Sequence, residues 1–568
     1  MTSSATGSDR TLTPALRDAT IRWIADDPSP DDRAELQRVL ANAMAGVPDA
    51  VADLKDRMRA PLTFGTAGLR GPLRAGPAGM NLAVVRRAAA GIADHLIAGG
   101  SRGRQVVVGF DARHRSAEFA ADVAGVLAAA GFSVLLAPGP LPTPITAFGV
   151  RHLGAVAGLQ VTASHNPPLD NGLKVYLDQG AQLVGPEDVR IERAIAATRP
   201  ARSIDADGHP PPWPDELVQA YLDRVGSLAE STAAAASAVR VAITPMHGVG
   251  GESAVKALHL AGFTDVHVVS EQSAPDGDFP TVPFPNPEEH GATDLLLQLA
   301  ERVDAGIAIA LDPDADRCAL GVPRPGGGWR MLTGDESGAL LGDHVLRSLN
   351  RVEHPDPLVA TTIVSAELLG RIAASHDARY DETLTGFKWI VRAGDGAGTG
   401  LVFGYEEALG LCVDPGQVRD KDGISAAVLA CDLLAGLAAT GAGLQDRLDE
   451  LARAHGLFVT GQYSVRVSDL TQIADAMARL RRSAPDTLLG APVDEVTDLL
   501  PLTDGIRLRT ADVRVVIRPS GTEPKLKAYL QLTTAVPDGA DLDELKAQAR
   551  TRMSTLSDEI AAAIGLSS

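Results

Sequence analysis

The segment 104–116, RQVVVGFDARHRS, decides the fold: an apolar run of strand-forming residues leads into a polar turn. The same order recurs in 239–251, VRVAITPMHGVGG, and in 358–370, LVATTIVSAELLG, each leading into an Ala- or Leu-rich stretch that is typical of a helix. Strands that alternate with helices form βαβ units and sheets that are mainly parallel. The regular spacing of these segments predicts three related α/β domains with mixed, mainly parallel sheets.

The two ends of the chain differ from this pattern. Stretches such as AELQRVLANAM at 34–44 predict a helical extension that packs on the first domain. The last part of the chain predicts a strand, a helix and two further strands, which form a separate α+β domain. We expect linkers near 201–214 and 320–328, although the second could instead be a hairpin loop. The predicted boundaries are 1–60, 61–215, 216–330, 331–455 and 456–568.

Composition and charge restrict the class of protein. The 568 residues include 52 basic and 72 acidic side chains, a formal net charge of −20. An acidic balance argues against a general binder of nucleic acid or of anionic membranes. Three cysteines in so long a chain favour a reducing compartment. Because the first residues, MTSSATGSDRTLTP, have no apolar core, we expect no signal peptide and a cytoplasmic enzyme.

Ser164 lies in the first motif that could carry chemistry, TASHNPPLDNGLK at 162–174. The motif follows the apolar segment AVAGLQV, so the serine is expected on a loop at the carboxyl end of a strand, where α/β sheets carry functional residues. A serine hydrolase is disfavoured because no G-x-S-x-G surrounds Ser164 and His165 is its sequence neighbour. A phosphoryl acceptor fits better, provided that a metal and cations lie nearby.

Three alternating aspartates, Asp312, Asp314 and Asp316, form the second motif, LDPDADR at 311–317. In extended backbone alternate side chains point the same way, and hard oxygen ligands on one side suit Mg²⁺. An EF-hand loop is excluded because Arg317 and Pro323 stand where it requires Gly and Glu. A solvated acidic turn is the alternative, but three carboxylates directly after a buried strand favour a metal.

The third motif, IRPSGTEPK at 517–525, combines cations, hydroxyl groups and glycine. Backbone amides in such a loop can form an anion-binding nest, and the Arg518 side chain adds a forked donor. We interpret it as a phosphate clamp, with a hairpin turn as the alternative. A Walker A loop is excluded because the chain contains no Gly-Lys dipeptide.

Three further loops are weaker signals when each is taken alone. Glu406 lies in GYEEALG at 404–410, where paired carboxylates between glycines suit sugar hydroxyls. Arg70 is the single cation of the glycine loop FGTAGLRG, and Lys388 stands beside two aromatic residues in TGFKW.

Taken together and in this order, these six motifs resemble those of the α-D-phosphohexomutase superfamily, over roughly residues 60–530. FGTAGLRG, TASHNP and GYEEALG are most similar to the phosphopentomutase-type phosphoglucomutases. The resemblance implies four domains around a central cleft, the first three α/β and the last α+β. In chain order they would carry the phosphoserine, the metal, the sugar site and the phosphate site.

The resemblance also implies roles for the matching residues. Ser164 would be the phosphorylated serine, and its phosphate would hold Mg²⁺ together with the three aspartates. Lys174 would be the acid/base lysine, and Arg70 would belong to the catalytic centre. On physical grounds, Lys174 could take the hydroxyl proton if neighbouring cations such as Arg70 lower its pKa, which we expect here. The residues implied in substrate binding are Arg317, Lys388, Glu406, Arg518, Ser520, Gly521 and Thr522.

The activity implied is a mutase that interconverts the 1-phosphate and 6-phosphate of a hexose, with glucose favoured and mannose as a second candidate. A bisphosphorylated sugar would be both intermediate and activator. The alternative is a phosphopentomutase acting on ribose or deoxyribose 1-phosphate, because Ala408 stands where many hexose-specific members have Ser, and Phe387 where some bacterial mannose/glucose enzymes have His. We expect a small phosphosugar as partner, no nucleic acid or membrane, and a monomer or homodimer.

Two other functions stay open at this point. A Mg²⁺-dependent phosphatase would hydrolyse the phosphoserine with water instead of passing its phosphoryl group to a sugar. A non-catalytic phosphosugar sensor would not need Ser164, Lys174 and the three aspartates all together, so the presence of all five disfavours a sensor.

Overall fold

The computed structural model describes residues 11–65, 68–177, 179–467, 469–521 and 524–566. As the sequence predicts, its first part is helical: α1 (Pro14–Asp26), α2 (Pro30–Met44) and α3 (Ala50–Arg57). Ser29 caps α2 by accepting a hydrogen bond from the Asp32 amide at 3.2 Å. The Asp32 side chain in turn binds Arg115 at 2.7 Å, which joins this helical part to the first sheet.

The first sheet has the order β1-β5-β4-β2-β3, and a short strand, β6, pairs with β5. Its strands and helices are β1 (Leu69–Pro72), α4 (Leu82–Ala98), β2 (Gln105–Phe110), α5 (Ser116–Ala129), β3 (Ser133–Leu136), α6 (Thr143–His152), β4 (Ala157–Val161), β5 (Asp170–Leu177), β6 (Ala181–Gln182) and α7 (Glu187–Ala197).

The second sheet has the order β11-β10-β9-β7-β8. Its elements are α8 (Asp215–Gly226), α9 (Ala233–Ser237), β7 (Arg240–Thr244), α10 (Gly250–Leu260), β8 (Asp265–Val268), α11 (Asp294–Arg302), β9 (Ile307–Leu311), β10 (Cys318–Pro323) and β11 (Trp329–Met331).

The third sheet has the order β13-β12-β14-β15. Its elements are α12 (Gly334–Ser348), β12 (Leu358–Thr362), α13 (Leu368–Ser375), β13 (Arg379–Thr383), α14 (Phe387–Ile390), β14 (Leu401–Glu406), β15 (Gly410–Cys412), α15 (Gly423–Ala438) and α16 (Leu444–His455).

The three sheets share one topology. In each, a central strand pairs in parallel with the two strands that follow it in sequence, and the last of these turns back into an antiparallel neighbour. The turns are closed by the pairs Val161↔Leu173, Leu311↔Cys318 and Glu406↔Gly410. Pairing is parallel where a helix returns the chain and antiparallel where a short turn does. The repeated order confirms three related α/β units with mixed sheets. The sheets are not mainly parallel, because the described strands form as many antiparallel pairs as parallel ones.

The last unit is α+β, as predicted, with an antiparallel sheet in the order β16-β22-β21-β20-β19 and a separate pair, β17-β18. Its elements are β16 (Leu457–Arg466), α17 (Thr471–Arg482), β17 (Thr487–Leu488), β18 (Ala491–Pro492), β19 (Glu495–Asp498), β20 (Ile506–Arg509), β21 (Val513–Pro519), β22 (Lys525–Thr534) and α18 (Leu542–Ile564).

The hydrophobic core is shared unequally among these units. Buried residues of all three α/β units belong to one continuous cluster, whereas most of those in the last unit form a cluster of their own. The Arg514 guanidinium joins the last unit to the third by donating to the Ser365 and Ile363 carbonyls at 2.8 and 2.6 Å and to Glu382 at 2.8 Å. An apolar cluster of Ala452 with Leu457, Leu542 and Ala549 also spans this junction, so both polar and apolar contacts contribute to it.

The two predicted linkers have different structures. In 201–214, Trp213 is 2% exposed, and Pro212 forms a bridge with Leu136, so this segment packs against the first sheet. Residues 320–328 belong to the hairpin between β10 and β11, which agrees with the second of the two alternatives. In the described part of the chain, no helix combines the length and apolar character needed to cross a bilayer.

Candidate functional site

Three of the predicted motifs occupy the same turn of the repeated topology. The Ser164 loop follows β4, the aspartate loop follows β9, and the Glu406 loop follows β14. In each turn one non-glycine residue has a left-handed backbone: Ser164 with φ 53°, Ala315 with φ 56° and Leu409 with φ 65°. Such a conformation costs about 1–2 kcal/mol for a residue with a Cβ. Contacts with the rest of the molecule must therefore hold these turns in place.

The three aspartates converge, although their backbone is not extended as the sequence analysis assumed. The Ala315 amide donates to the Asp312 carbonyl at 2.9 Å, so the loop curls into a turn. One oxygen from each of Asp312, Asp314 and Asp316 lies within 4.8 Å of the others, and all three residues are completely buried. Convergence comes from the curl of the loop rather than from strand alternation.

Ser164 lies against this cluster. Its Oγ donates to Oδ2 of Asp312 at 2.7 Å, and its amide donates to the Thr162 hydroxyl at 2.9 Å. His165 Nδ1 lies 3.2 Å from the same Oγ. Burial, reinforced by the nearby charge of Arg317, lowers the pKa of His165 well below its ordinary value, which favours the neutral imidazole. The serine that the sequence identified is therefore beside the predicted metal ligands.

Lys174 is the main cation of the cluster. Its Nζ lies 2.6 Å from Oδ2 of Asp314 and 2.5 Å from Oδ2 of Asp316, and all three side chains are inaccessible to solvent. Burial alone would lower the pKa of Lys174, but the two carboxylates outweigh it and raise the pKa above its ordinary value. The expectation that cations such as Arg70 lower this pKa is wrong, because the nearest charges are negative.

The arrangement fits the magnesium ion that the resemblance implies. Among the described residues, Oδ1 of Asp314 and Oδ1 of Asp316 are buried without a hydrogen-bond partner, while the Oδ2 atoms bind Lys174. Burial and the neighbouring carboxylates raise the pKa of Asp312 well above its ordinary value. Closely spaced, unpaired carboxylate oxygens are the donor set that a hard divalent cation requires.

Two arginines from the predicted site border the cluster. Arg70, on β1, donates to Oδ1 of Asn166 in the Ser164 loop at 3.3 Å. Burial lowers the pKa of Arg70, although the aspartates oppose the shift. The Arg317 amide donates to Oδ1 of Asp312 at 3.0 Å, and its guanidinium lies 3.8 Å from Glu288. Both arginines therefore place positive charge next to the aspartates.

Glu406 is brought close to the cluster by the third α/β unit. The backbone of Arg317 forms a bridge with Gly410, the residue that closes the Glu406 turn. A Cβ on Gly410 would lie 2.9 Å from Glu406 Oε1 and 2.4 Å from Lys421 Cδ, so only glycine lets these two side chains pack together. Burial raises the pKa of Glu406, and Lys421 and Arg317 oppose this shift.

In the described ranges, the remaining predicted residues do not take part in the hydrogen bonds and ion pairs of the three aspartates. Lys388 lines a small cavity with Phe64 and Asp188. Arg518, at the end of β21, hydrogen-bonds Tyr529 on the adjacent strand. Ser520 donates its amide to the Lys525 carbonyl at 2.8 Å and Gly521 is exposed, whereas Thr522 lies outside the described residues.

Comparison with known proteins identifies the family. Sequence models of the phosphoglucomutase/phosphomannomutase family match its first three α/β/α domains at 61–202, 219–327 and 333–455, and its C-terminal domain at 465–550. The chain belongs to the phosphoglucomutase/phosphomannomutase family. As a family member within the α-D-phosphohexomutase superfamily, it is an intramolecular phosphotransferase.

Individual relatives of this family differ in the sugar that they are named for. A Haemophilus influenzae protein named "Probable phosphomannomutase" is 42% identical over 82% of this chain and 95% of its own length. A Schizosaccharomyces pombe protein named "Probable phosphoribomutase" is 32% identical over 91% of this chain and 94% of its own. The open form of a Paramecium phosphoglucomutase, pp63/parafusin, has the same fold, with a TM-score of 0.68 at 19% identity over 90% of this chain and 97% of that one.

This family member also contains site residues that the sequence analysis did not assign. Lys421 Nζ lies 3.2 Å from Oδ2 of Asp316 and 5.7 Å from the ring centre of Phe387. Burial would lower the pKa of Lys421, but Asp316 and other carboxylates raise it above the ordinary value. The signal available in the sequence was its position between two aspartates in a chain with few lysines.

Thr143, at the start of α6, is a second site residue of this phosphotransferase that the sequence analysis did not assign. Its hydroxyl donates to Oδ2 of Asp314 at 2.5 Å and its amide to the Asp314 carbonyl at 3.0 Å. The sequence places Thr143 in a proline-rich loop and carries no signal for this contact. The first α/β unit thus supplies Ser164, Lys174 and Thr143 to a carboxylate cluster from the second.

Proposed function

We propose that this phosphotransferase interconverts the 1-phosphate and 6-phosphate of a hexose, with glucose favoured and mannose as a second candidate. The observation that carries the proposal is the Ser164 hydroxyl, 2.7 Å from Asp312 in a buried cluster that also contains Lys174. A serine beside cations and beside carboxylates that could hold a metal ion suits phosphoryl transfer, which needs positioning and charge neutralisation more than covalent chemistry. Neither a hydrolase triad nor a P-loop accounts for these residues.

Ser164 is the proposed carrier of the phosphoryl group. In the forward step, the bond between phosphorus and Ser164 Oγ breaks as a sugar hydroxyl oxygen bonds to phosphorus, giving a bisphosphorylated sugar. In the return step, the other phosphoryl group of that sugar moves to Ser164 Oγ. Ser164 and the three aspartates would hold Mg²⁺, which when bound neutralises charge on the transferring phosphoryl group.

Lys174 is the proposed acid/base residue. Because the two aspartates keep it protonated, it can give a proton to Ser164 Oγ as that oxygen leaves phosphorus. It then accepts the proton of the attacking sugar hydroxyl, so its charge is restored and the proton count balances. Arg70, which contacts the Ser164 loop through Asn166, is proposed to stabilise negative charge at the same centre.

The residues proposed for substrate binding lie on the other units. Glu406 accepts hydrogen bonds from sugar hydroxyls, with Arg317 and Lys421 beside it for the phosphate. The loop that contains Arg518, Ser520, Gly521 and Thr522 binds the phosphate that is not reacting. Lys388 contacts the ligand from the third unit. A bisphosphorylated sugar that turns around between the two half-reactions uses each of these contacts in both orientations.

A phosphopentomutase is the second candidate. It is favoured by Ala408, which removes one hydroxyl donor from the sugar loop, and by the 32% identity to the S. pombe relative over 91% of this chain. The smaller sugar would be a ribose or deoxyribose 1-phosphate.

The domain functions and boundaries, the cytoplasmic location and the monomeric or dimeric state also stay predictions.

A mutase assay with Mg²⁺ tests the proposal and separates the candidates. The purified protein is given glucose, mannose or ribose 1-phosphate with a trace of the corresponding bisphosphate. We expect the highest kcat/KM with glucose 1-phosphate, and complete loss of turnover and of phosphate transfer to the protein in Ser164→Ala. Ser203→Ala, at an exposed serine whose hydroxyl bonds the Pro200 carbonyl, is the matched control and retains activity.

Each other outcome changes the conclusion. A preference for ribose 1-phosphate makes the protein a phosphopentomutase. Release of inorganic phosphate without isomerisation makes it a phosphatase. A folded protein that turns over none of the three sugars overturns the proposal.

A further inference from the structure

We propose that Arg113 is a positioning residue that holds the Ser164 loop in the conformation needed for phosphoryl transfer; this inference rests on the proposed function. One guanidinium donates to four backbone carbonyls of this loop. Nη2 binds the Ser164 and Asn166 carbonyls at 2.6 and 2.5 Å, and Nη1 binds those of Pro167 and Asp170 at 2.8 and 3.2 Å.

The loop needs such support because of its backbone. Ser164 has φ 53°, a conformation that costs about 1–2 kcal/mol without compensating contacts. Fixing the direction of the Ser164 carbonyl fixes the rotation between its Cα and carbonyl carbon, and so helps to set where Oγ points. A displacement of a reacting atom by about 1 Å costs on the order of 100-fold in rate.

Arg113 is itself held firmly. The residue is 3% exposed, and its Nε lies 3.5 Å from Oδ2 of Asp111 at the end of β2. The same oxygen accepts the Thr162 hydroxyl at 2.6 Å, so Asp111 connects Arg113 to the first residue of the serine motif. The Phe279 ring lies 5.0 Å from the guanidinium carbon.

The contact between Phe279 and Arg113 links the first α/β unit to the second. Phe279 belongs to the segment between β8 and α11 of the second unit, the unit that carries the three aspartates. In the same segment, a Cβ on Gly277 would come within 3.0 Å of the Ala112 carbonyl. The support under Ser164 is therefore completed by the unit that carries the predicted metal ligands, which keeps the serine in register with them.

Arg115 provides a matched comparison within the same loop. Its guanidinium binds Asp32 at 2.7 Å and Glu118 at 2.8 Å. In the ranges that the structure describes, its hydrogen bonds and ion pairs do not include the Ser164 loop. Arg113 and Arg115 thus share the segment and the side-chain type, although Arg113 is buried and Arg115 only partly so. They differ in whether they support the serine.

The test compares Arg113→Lys with Arg115→Lys in the full chain. Lysine keeps the charge at Arg113, but its compact ammonium cannot span the four carbonyls as the planar guanidinium does. We expect kcat to fall on the order of 100-fold in Arg113→Lys, while KM for the sugar phosphate changes less than about threefold because substrate contacts lie on other loops. Amide hydrogen exchange over 163–170 should become faster.

Arg115→Lys should leave kcat, KM and this exchange close to those of the unsubstituted protein. A thermal midpoint close to that of Arg115→Lys shows that Arg113→Lys is folded. If the thermal midpoint of Arg113→Lys is much lower, the test uses Arg113→Gln instead, because glutamine retains two donors on one nitrogen.

Several results would overturn the inference. One is an Arg113→Lys variant whose kcat and exchange match those of Arg115→Lys. Another is a fall in kcat that only follows the fraction of unfolded protein, which makes the role purely structural. Absence of mutase turnover in the unsubstituted protein is a different result: it rejects the proposed function, while the exchange comparison still decides whether Arg113 holds the loop.

Discussion

Replacing Lys174 with Met tests how the buried aspartates are neutralised. The ammonium lies 2.6 and 2.5 Å from Asp314 and Asp316, and no solvent reaches any of the three side chains. Removing one partner of a buried ion pair costs about 3–5 kcal/mol, because a charge is left uncompensated. Lys421 remains 3.2 Å from Asp316, so we expect the lower end of this range, about 3 kcal/mol.

The expected change in thermal stability follows from the size of the unit that unfolds. The three α/β units share one core, and at about 2.1 cal/mol/K per residue their unfolding entropy is about 0.8 kcal/mol/K. A loss of about 3 kcal/mol then lowers the melting temperature by about 4 °C. Mg²⁺ should raise the melting temperature of Lys174→Met more than that of the unsubstituted protein, because a divalent cation replaces the missing charge.

The loss should also depend on pH. Without the ammonium, the pKa values of Asp314 and Asp316 are raised in the folded state, so the folded protein binds more protons than the unfolded chain. Stability then falls as pH rises, and the deficit should be smaller at about pH 5 than at about pH 8.

Thermal melts at both pH values, with EDTA or with saturating Mg²⁺, measure these effects. Lys256→Met is the control, since Lys256 forms an exposed pair with Glu252 at 2.5 Å and its loss should cost less than about 0.5 kcal/mol. A Lys174→Met variant that melts like Lys256→Met and gains no extra stability from Mg²⁺ would refute the reasoning.

Two further predictions concern side chains behind the site. Burial, with the charges of Glu406 and Asp335 adding to it, raises the pKa of Glu407 from 4.5 to about 7. Because this pKa is higher in the folded than in the unfolded protein, the free energy of unfolding should fall by about 3 kcal/mol as the pH rises from about 4.5 to about 7. Urea denaturation across this range should show the fall, and Glu407→Gln should remove it. Thr143→Val removes the hydroxyl that binds Asp314 at 2.5 Å, and Mg²⁺ titration monitored by melting temperature should give about 10-fold weaker binding; equal affinity would contradict this role.

Much of the fold was predictable because it depends on local patterns. The segments 104–116, 239–251 and 358–370 each contain a strand, a turn and the start of a helical stretch, and all three became the central strands of related sheets. The antiparallel strand pairs were harder to predict from the sequence, because a short turn between two strands leaves no helical pattern that separates them.

The candidate site residues were predictable where they belong to compact sequence motifs. Ser164 and the three aspartates stand in compact motifs, and the structure brings them into contact. Thr143 and Arg113 carry no such signal, because each acts through partners that are distant in the chain, and Lys421 offers only its position between two aspartates.

The sequence by itself determined the repeated α/β pattern and the family, and it predicted the central serine and aspartates, because these depend on residue type and local spacing. Only the tertiary structure decided the charge state of Lys174 and the support of the Ser164 loop by Arg113. A pKa depends on which charges surround a buried group, and the orientation of a backbone carbonyl depends on which donor reaches it. Both are set by packing between units, which no single segment encodes.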